Sequence, residues 1–130
     1  MRICKEDIPV KIDVPGARAR AVSDFGTASG TLGAEYFSLG AGTDIAPLLE
    51  GLEHGLCHSP HWGYVISGDL VVTYRDGTTD RCRGGDVYYW PAGHTVRVVD
   101  DAELVMFSPQ VEHNQVMDHM LAKIHSATTG

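Results

Sequence analysis

Apolar and polar residues alternate through most of the chain, the period expected of strands with one buried face. "IPVKIDV" (8–14) alternates and is followed by a "PG" turn. A strand is expected near Leu32 to Leu39, between glycine turns. From residue 61 the pattern strengthens. "HWGYVIS" leads to a "GD" turn and "LVVTYR", and "DG" then gives a two-residue hairpin signal. "TTDRCR", "VYYW", "HTVRVV" and "AELVMFS" follow, divided by "GGD", "PAG" and "DD". Segments of this length between turns predict an antiparallel sandwich or barrel. "DIAPLLEGLEHG" is ambiguous between an edge strand and one helical turn, and Pro47 argues against a central strand.

The period changes after Ser108. Ser108 and Pro109 read as a helix N-cap and first helical residue. Val116, Met120, Leu121 and Ile124 fall on one helical face, so a closing helix is expected over 109–125. Met117 and Met120 read as packing residues, and "SATTG" as a frayed end. The chain is expected to be one domain, 1–130. It divides into an extended N-terminal segment (1–30), a β-barrel (31–108) and the closing helix (109–125).

Composition sharpens this picture in three ways. The 130 residues are 43% hydrophobic, enough for a core, and the fifteen glycines suit a turn-rich fold. The net charge of -7 and the lack of a basic run argue against nucleic acid. No apolar run is long enough for a membrane-spanning helix, so no membrane partner is expected. "MRICKEDIPV" has no apolar signal core, and three cysteines at irregular spacing fit a reducing compartment. A cytoplasmic location is the expectation. Exposed strand edges and the extended N-terminal segment make a homodimer the expected assembly.

The candidate chemistry lies in "CHSPHWGYVISGDL" (57–70) and "GGDVYYWPAGH" (84–94). In the second, Gly85 is followed by five residues, Pro91, one residue and Gly93. This resembles the second motif of the cupin superfamily, which ends in a histidine three positions beyond its last glycine. The first stretch resembles the first cupin motif, with Gly68 as the hairpin glycine. The resemblance implies an all-β fold, a cupin-type double-stranded β-helix or jelly-roll barrel with a C-terminal helix. It also implies a metal or small-molecule site in the barrel mouth.

This chain departs from the family at the ligand positions. Counting back from Gly68, the family's glutamate position holds His61. The histidine pair falls at Gly55 and Cys57, or with longer spacing at His54 and Leu56. The second-motif histidine falls at Val96, whereas this chain has His94. Strand alternation puts His94 and Val96 on one side, roughly 6 to 7 Å apart. The two stretches also resemble a subgroup of small bacterial cupins that carry a cysteine four residues before the histidine of "PHWGYV". That resemblance matches Cys57, His61 and His94.

Three ligands, one thiolate and two imidazoles, would leave a fourth position open, as in catalytic zinc sites. The expected cofactor is a divalent transition metal, zinc first, with iron, nickel or copper as alternatives. His58 and His54 are further candidate ligands. The competing reading is a metal-free pocket in which His61 and His94 hydrogen-bond a small-molecule ligand and Cys57 is a small buried hydrophobe. Trp62, Tyr64 or Trp90 would then be aromatic walls, with Tyr64 and Trp90 as cofactor-binding candidates. Only one of Glu35 and Tyr36 can face inward. Glu53 is a candidate partner for a ligand histidine. His113, His119 and His125 are expected to face solvent from the closing helix, and Cys4 and Cys82 are given no role. The expected chemistry is metal-assisted, on a small organic acid or oxygenated substrate. The alternatives are a metal-free binding barrel and a structural dimer. The residues do not assign a reaction, because this fold hosts many.

Overall fold

A computed structural model describes residues 1–28 and 30–129. Its frame is a ribbon of two long antiparallel strands, β5 (His61–Tyr74) and β8 (His94–Pro109). They pair from Trp62↔Phe107 to Tyr74↔His94. The sequence predicts each as two strands broken by "GD" and "DD" turns. The two dipeptides instead lie opposite each other, at Asp69↔Asp100, and the register shifts between Val65 and Leu70. Two turn signals facing across a ladder bend the ribbon through bulges rather than reversing either strand. Gly68 is required there. It has φ +100°, and a Cβ on it would lie 2.4 Å from the Asp101 carbonyl oxygen.

The bend lets β5 serve two neighbours on one side. Its first half pairs with β7 (Asp86–Trp90), and its second half with β6 (Thr79–Arg83). Beyond β7 lies β1 (Arg2–Cys4), and beyond β8 lies β4 (Leu32–Leu39). The order is β1-β7-β5-β8-β4, with β6 also on β5. The bend also rolls the ribbon. His94 and Ser108 stand near opposite ends of a 16-residue strand. Extended, it would span on the order of 50 Å. Yet the His61 ring lies 4.8 Å from the His94 ring, and His61 bonds Ser108.

The inner face is the predicted alternation: Val96 and Val98 before the bend, Ala102, Leu104 and Met106 after it. Val65, Leu70, Val72, Tyr88 and Trp90 pack against them. Burial of each large aliphatic side chain contributes about 1.5–3 kcal/mol. The ambiguous segment near Pro47 forms a short helix, α1 (Ala46–Leu49), with Asp44 Oδ1 accepting the Ala46 N–H at 2.9 Å.

The closing helix, α2, spans Gln110–Thr129, longer than the predicted 109–125. Pro109 still pairs with Leu32 in the sheet, so the helix begins one residue later than expected. Its seated face also differs. His113 and Val116 are buried, and Met117 and Met120 half-buried, at helical spacing. Leu121 and Ile124 are 46% and 41% exposed. The first turns sit on the barrel and on α1, where Leu49, Cys57 and Val116 form a second apolar cluster. A hairpin of β2 (Val10–Val14) and β3 (Ala17–Arg20) pairs with neither neighbour in the main sheet. No helix among the described residues is long and apolar enough to cross a membrane.

Candidate metal centre

Three chain segments bring Cys57, His61 and His94 together. His61 opens β5 and His94 opens β8. The loop carrying Cys57 is tied to the start of β8: Cys57 N–H donates to the His94 carbonyl at 2.9 Å, and Gly93 N–H donates to the Cys57 carbonyl at 2.7 Å. Gly93 has φ +89°, so the family-like glycine serves the turn that presents His94. His94, expected inside, is 1% exposed, and Cys57 and His61 are also buried.

Hydrogen bonds orient both imidazoles. His94 Nδ1–H donates to the Pro91 carbonyl at 2.8 Å, and His61 Nδ1 meets Ser108 Oγ at 2.6 Å. The Pro91 carbonyl can only accept, so His94 carries its proton on Nδ1 and its Nε2 keeps a lone pair; with Ser108 accepting, His61 takes the same form, the arrangement of metal-ligating histidines. Cys57 Sγ is 3.4 Å from His61 Nε2. Among the described residues, one donor atom from each of the three lies within 4.8 Å of the others. Tetrahedral zinc ligands stand about 3.5 Å apart. The Cys57–His61 pair already meets that spacing, and His94 needs a shift on the order of 1 Å. The donor set fits a transition metal.

Electrostatics support neutral groups in the metal-free chain. Burial lowers the His94 pKa to about 4. Burial also lowers His61 well below its ordinary value, with the His94 and His113 rings adding to the effect. Burial raises the Cys57 thiol to about 11. At neutral pH the imidazoles are ready to ligate, while the thiol must lose its proton to do so.

The other sequence candidates are placed as follows. His58 is half-buried, with Nε2 3.0 Å from Gln115 Oε1, and stands outside the cluster. Its neighbour Cys57 turns in, so His58 turns toward the helix. His54 is exposed at φ 58° and pairs with Glu53, which is itself 80% exposed and supports no ligand histidine. Trp90 is buried, edge-on to His61 at 6.2 Å. Tyr64 is 44% exposed and lies on the outer sheet face, paired with Val105 and Val87, so it is no wall of the cavity. Trp62 stacks on Tyr89 and bonds the Phe25 carbonyl, also away from the cavity.

His113 and Ser108 stand elsewhere than the sequence predicts. His113 is 7% exposed, 5.2 Å from the His61 ring, and not solvent-facing. Glu35 takes the inward position over Tyr36, and its Oε1 faces His113 Nε2. His119 is half-buried and bonds the Glu50 carbonyl, while His125 is exposed as expected. Ser108, read as a helix cap, holds His61 instead. The signal for His113 was its spacing: it stands three and four residues before Val116 and Met117, on the seated face.

The rings and the thiol form part of the wall of a cavity of about 250 Å³. The rest of its wall is almost wholly apolar, from Phe37 and Leu39 to Met117 and Met120.

The chain is similar in structure to a conserved protein of unknown function from Streptococcus pyogenes. Identity is 24% over 63% of this chain and 67% of that one, with a TM-score of 0.48. A protein from Neisseria meningitidis matches at 19% identity over 68% of this chain and 89% of that one, with a TM-score of 0.46. An oxalate decarboxylase variant from Bacillus subtilis matches at 22% identity and a TM-score of 0.46. That match covers 84% of this chain but 29% of the decarboxylase, under a third of its length. No protein-family model matches the chain, and no curated protein matches it.

Proposed function

We propose that residues 1–130 form a small cupin that binds one divalent transition metal in its barrel mouth through Cys57, His61 and His94. The observation that carries this reading is the convergence of three donor atoms from separate segments, with each imidazole Nδ1 engaged elsewhere. A thiolate with two imidazoles suits zinc first, then iron, nickel or copper. Bound with a fourth position open, the metal supplies Lewis-acid polarisation of a small organic ligand. The chain's own residues do the rest. Ser108 and the Pro91 carbonyl orient the rings, and the apolar wall excludes water.

Elemental mass spectrometry of untagged protein tests this. The expected result is about one metal per chain in the wild type, and loss in His61→Ala and in His94→Ala. A wild type without metal, even after zinc or iron is added back, would sink the reading.

A metal-free small-molecule-binding barrel is the second reading. The S–H of Cys57 donating to a neutral His61 favours it, because the cluster is then satisfied without an ion.

The same reading includes a homodimer. The β2–β3 hairpin exposes Val10, Ile12 and Val14, and an isolated hairpin is marginally stable in water. Tyr36, Tyr64 and Phe107 are also exposed on the outer sheet face. A monomer mass by light scattering at micromolar concentration would remove the dimer.

A further inference from the structure

The proposed metal site forms part of the wall of a cavity whose chemistry selects what enters it. Cys57, His61, His94 and His113 are its polar groups apart from Thr43 and the Trp90 indole, and the remainder is aliphatic, aromatic or thioether. No lysine or arginine lines it among the described residues. A divalent ion on one thiolate and two neutral imidazoles carries one net positive charge. A ligand head with one negative charge cancels it. A second charge would be buried without a cation, and the group facing His113, Glu35, is an acid.

His113 is the second observation. It is 93% buried (7% exposed), yet Nδ1 has no hydrogen-bond partner among the described residues. Nε2 faces Glu35 but outside hydrogen-bond geometry. Buried polar groups are almost always paired, so an orphan beside a cavity points to a partner the cavity receives. The cavity volume corresponds to about eight units of the ~30 Å³ that one water occupies in the liquid.

From these observations we infer that the cavity takes a small molecule with one polar head, bearing no more than one negative charge, and an apolar body of several carbons. The head lies between the metal site and His113, and the body runs along Phe37, Leu70, Val98 and Leu104. The inference rests on the metal reading for the charge of the head, and on the cavity wall alone for the body. It excludes oxalate and other compact dianions as the preferred occupants.

Titration calorimetry of wild-type protein, after its metal content has been read, tests the idea with acetate, butanoate, hexanoate, 1-hexanol, malonate and oxalate. Affinity is expected to rise about fourfold per methylene from acetate to hexanoate. Hexanoate is expected to bind at least tenfold tighter than oxalate or malonate. In His113→Gln, hexanoate is expected to weaken about tenfold with metal content unchanged. A flat chain-length series, or oxalate binding as tightly as hexanoate, overturns the inference. Unchanged hexanoate affinity in His113→Gln overturns the anchor. If the protein holds no metal, the metal reading fails by itself, and the same series on that protein still decides the body. A rise per methylene upholds the apolar occupant, and a flat series removes it.

Discussion

The bend and the mouth of the rolled ribbon bury polar groups for opposite purposes. At the bend, Asp69 is 8% exposed and takes hydrogen bonds from Arg81 at 2.7 and 2.8 Å, with Arg83 close by. Its partners hold its pKa below the ordinary carboxylate value, led by the Arg81 hydrogen bond. Both oxygens accept from Arg81, so this group fixes shape. At the mouth, His94 engages Nδ1 with the Pro91 carbonyl, His61 engages Nδ1 with Ser108 and faces Cys57 Sγ through Nε2, and Cys57 stays a thiol. All three side chains also line the cavity. Satisfied charge marks structure, and oriented but unspent donors mark the candidate for chemistry.

The largest expected effect separates the mouth from the bend by metal content. His61→Ala and His94→Ala abolish stoichiometric metal, whereas Asp69→Asn retains it and loses about 1 kcal/mol of stability in denaturant titration. Metal loss in Asp69→Asn at full folding would erase the distinction. Next is Ser108→Ala, which leaves His61 Nδ1 buried without its partner. It is expected to weaken zinc about 10- to 100-fold in a chelator competition, with about 1–3 kcal/mol lost from the metal-free protein.

Acidity gives the third effect. The folded pKa of His94 is lowered to about 4 from 6.5. As pH falls from 6.5 toward 4, the unfolded chain takes up a proton that the folded chain does not, so metal-free stability falls. Cys57 is raised to about 11 from 9.0. Above pH 9 the unfolded thiol ionises first, so stability falls again as pH rises toward 11. Thermal melts of metal-free protein are expected to plateau between these limits. Zinc binding at pH 7 is expected to release about one proton, from Cys57, read with an indicator dye. The smallest effect tests the helix face. Leu121→Ser is expected to change stability by less than about 0.5 kcal/mol, unlike Val116→Ala, which opens the α1–α2 cluster.

Much of the architecture was legible, and the failures have physical causes. Period-two alternation located β4 to β8, because one face of each is buried. It misread the "GD" and "DD" breaks, since turn residues report a local bend and only pairing across the ladder decides whether the chain reverses. Cys57, His61 and His94 are named by the resemblance to small cupins with a cysteine four residues before the histidine of "PHWGYV", not by the general cupin motif positions. Their convergence is carried by the roll, which no local spacing encodes. Tyr64 was placed inside because aromatic residues suit walls, but strand parity sends it outward when His61 faces in. His113 was set aside because polarity was weighted over its place in the i, i+3, i+4 series.

Gly93, Cys57 and Ser108 lie at the seam where the two ends of one strand return to the same histidine. An ion held there would act as a clasp on the ribbon. It could leave only when the strand ends part, so its exchange would be timed by the opening of the barrel rather than by the strength of any single bond. The half-time for swapping one zinc isotope for another would then read out how often the roll springs open, a clock for a motion that leaves no other mark on the folded chain.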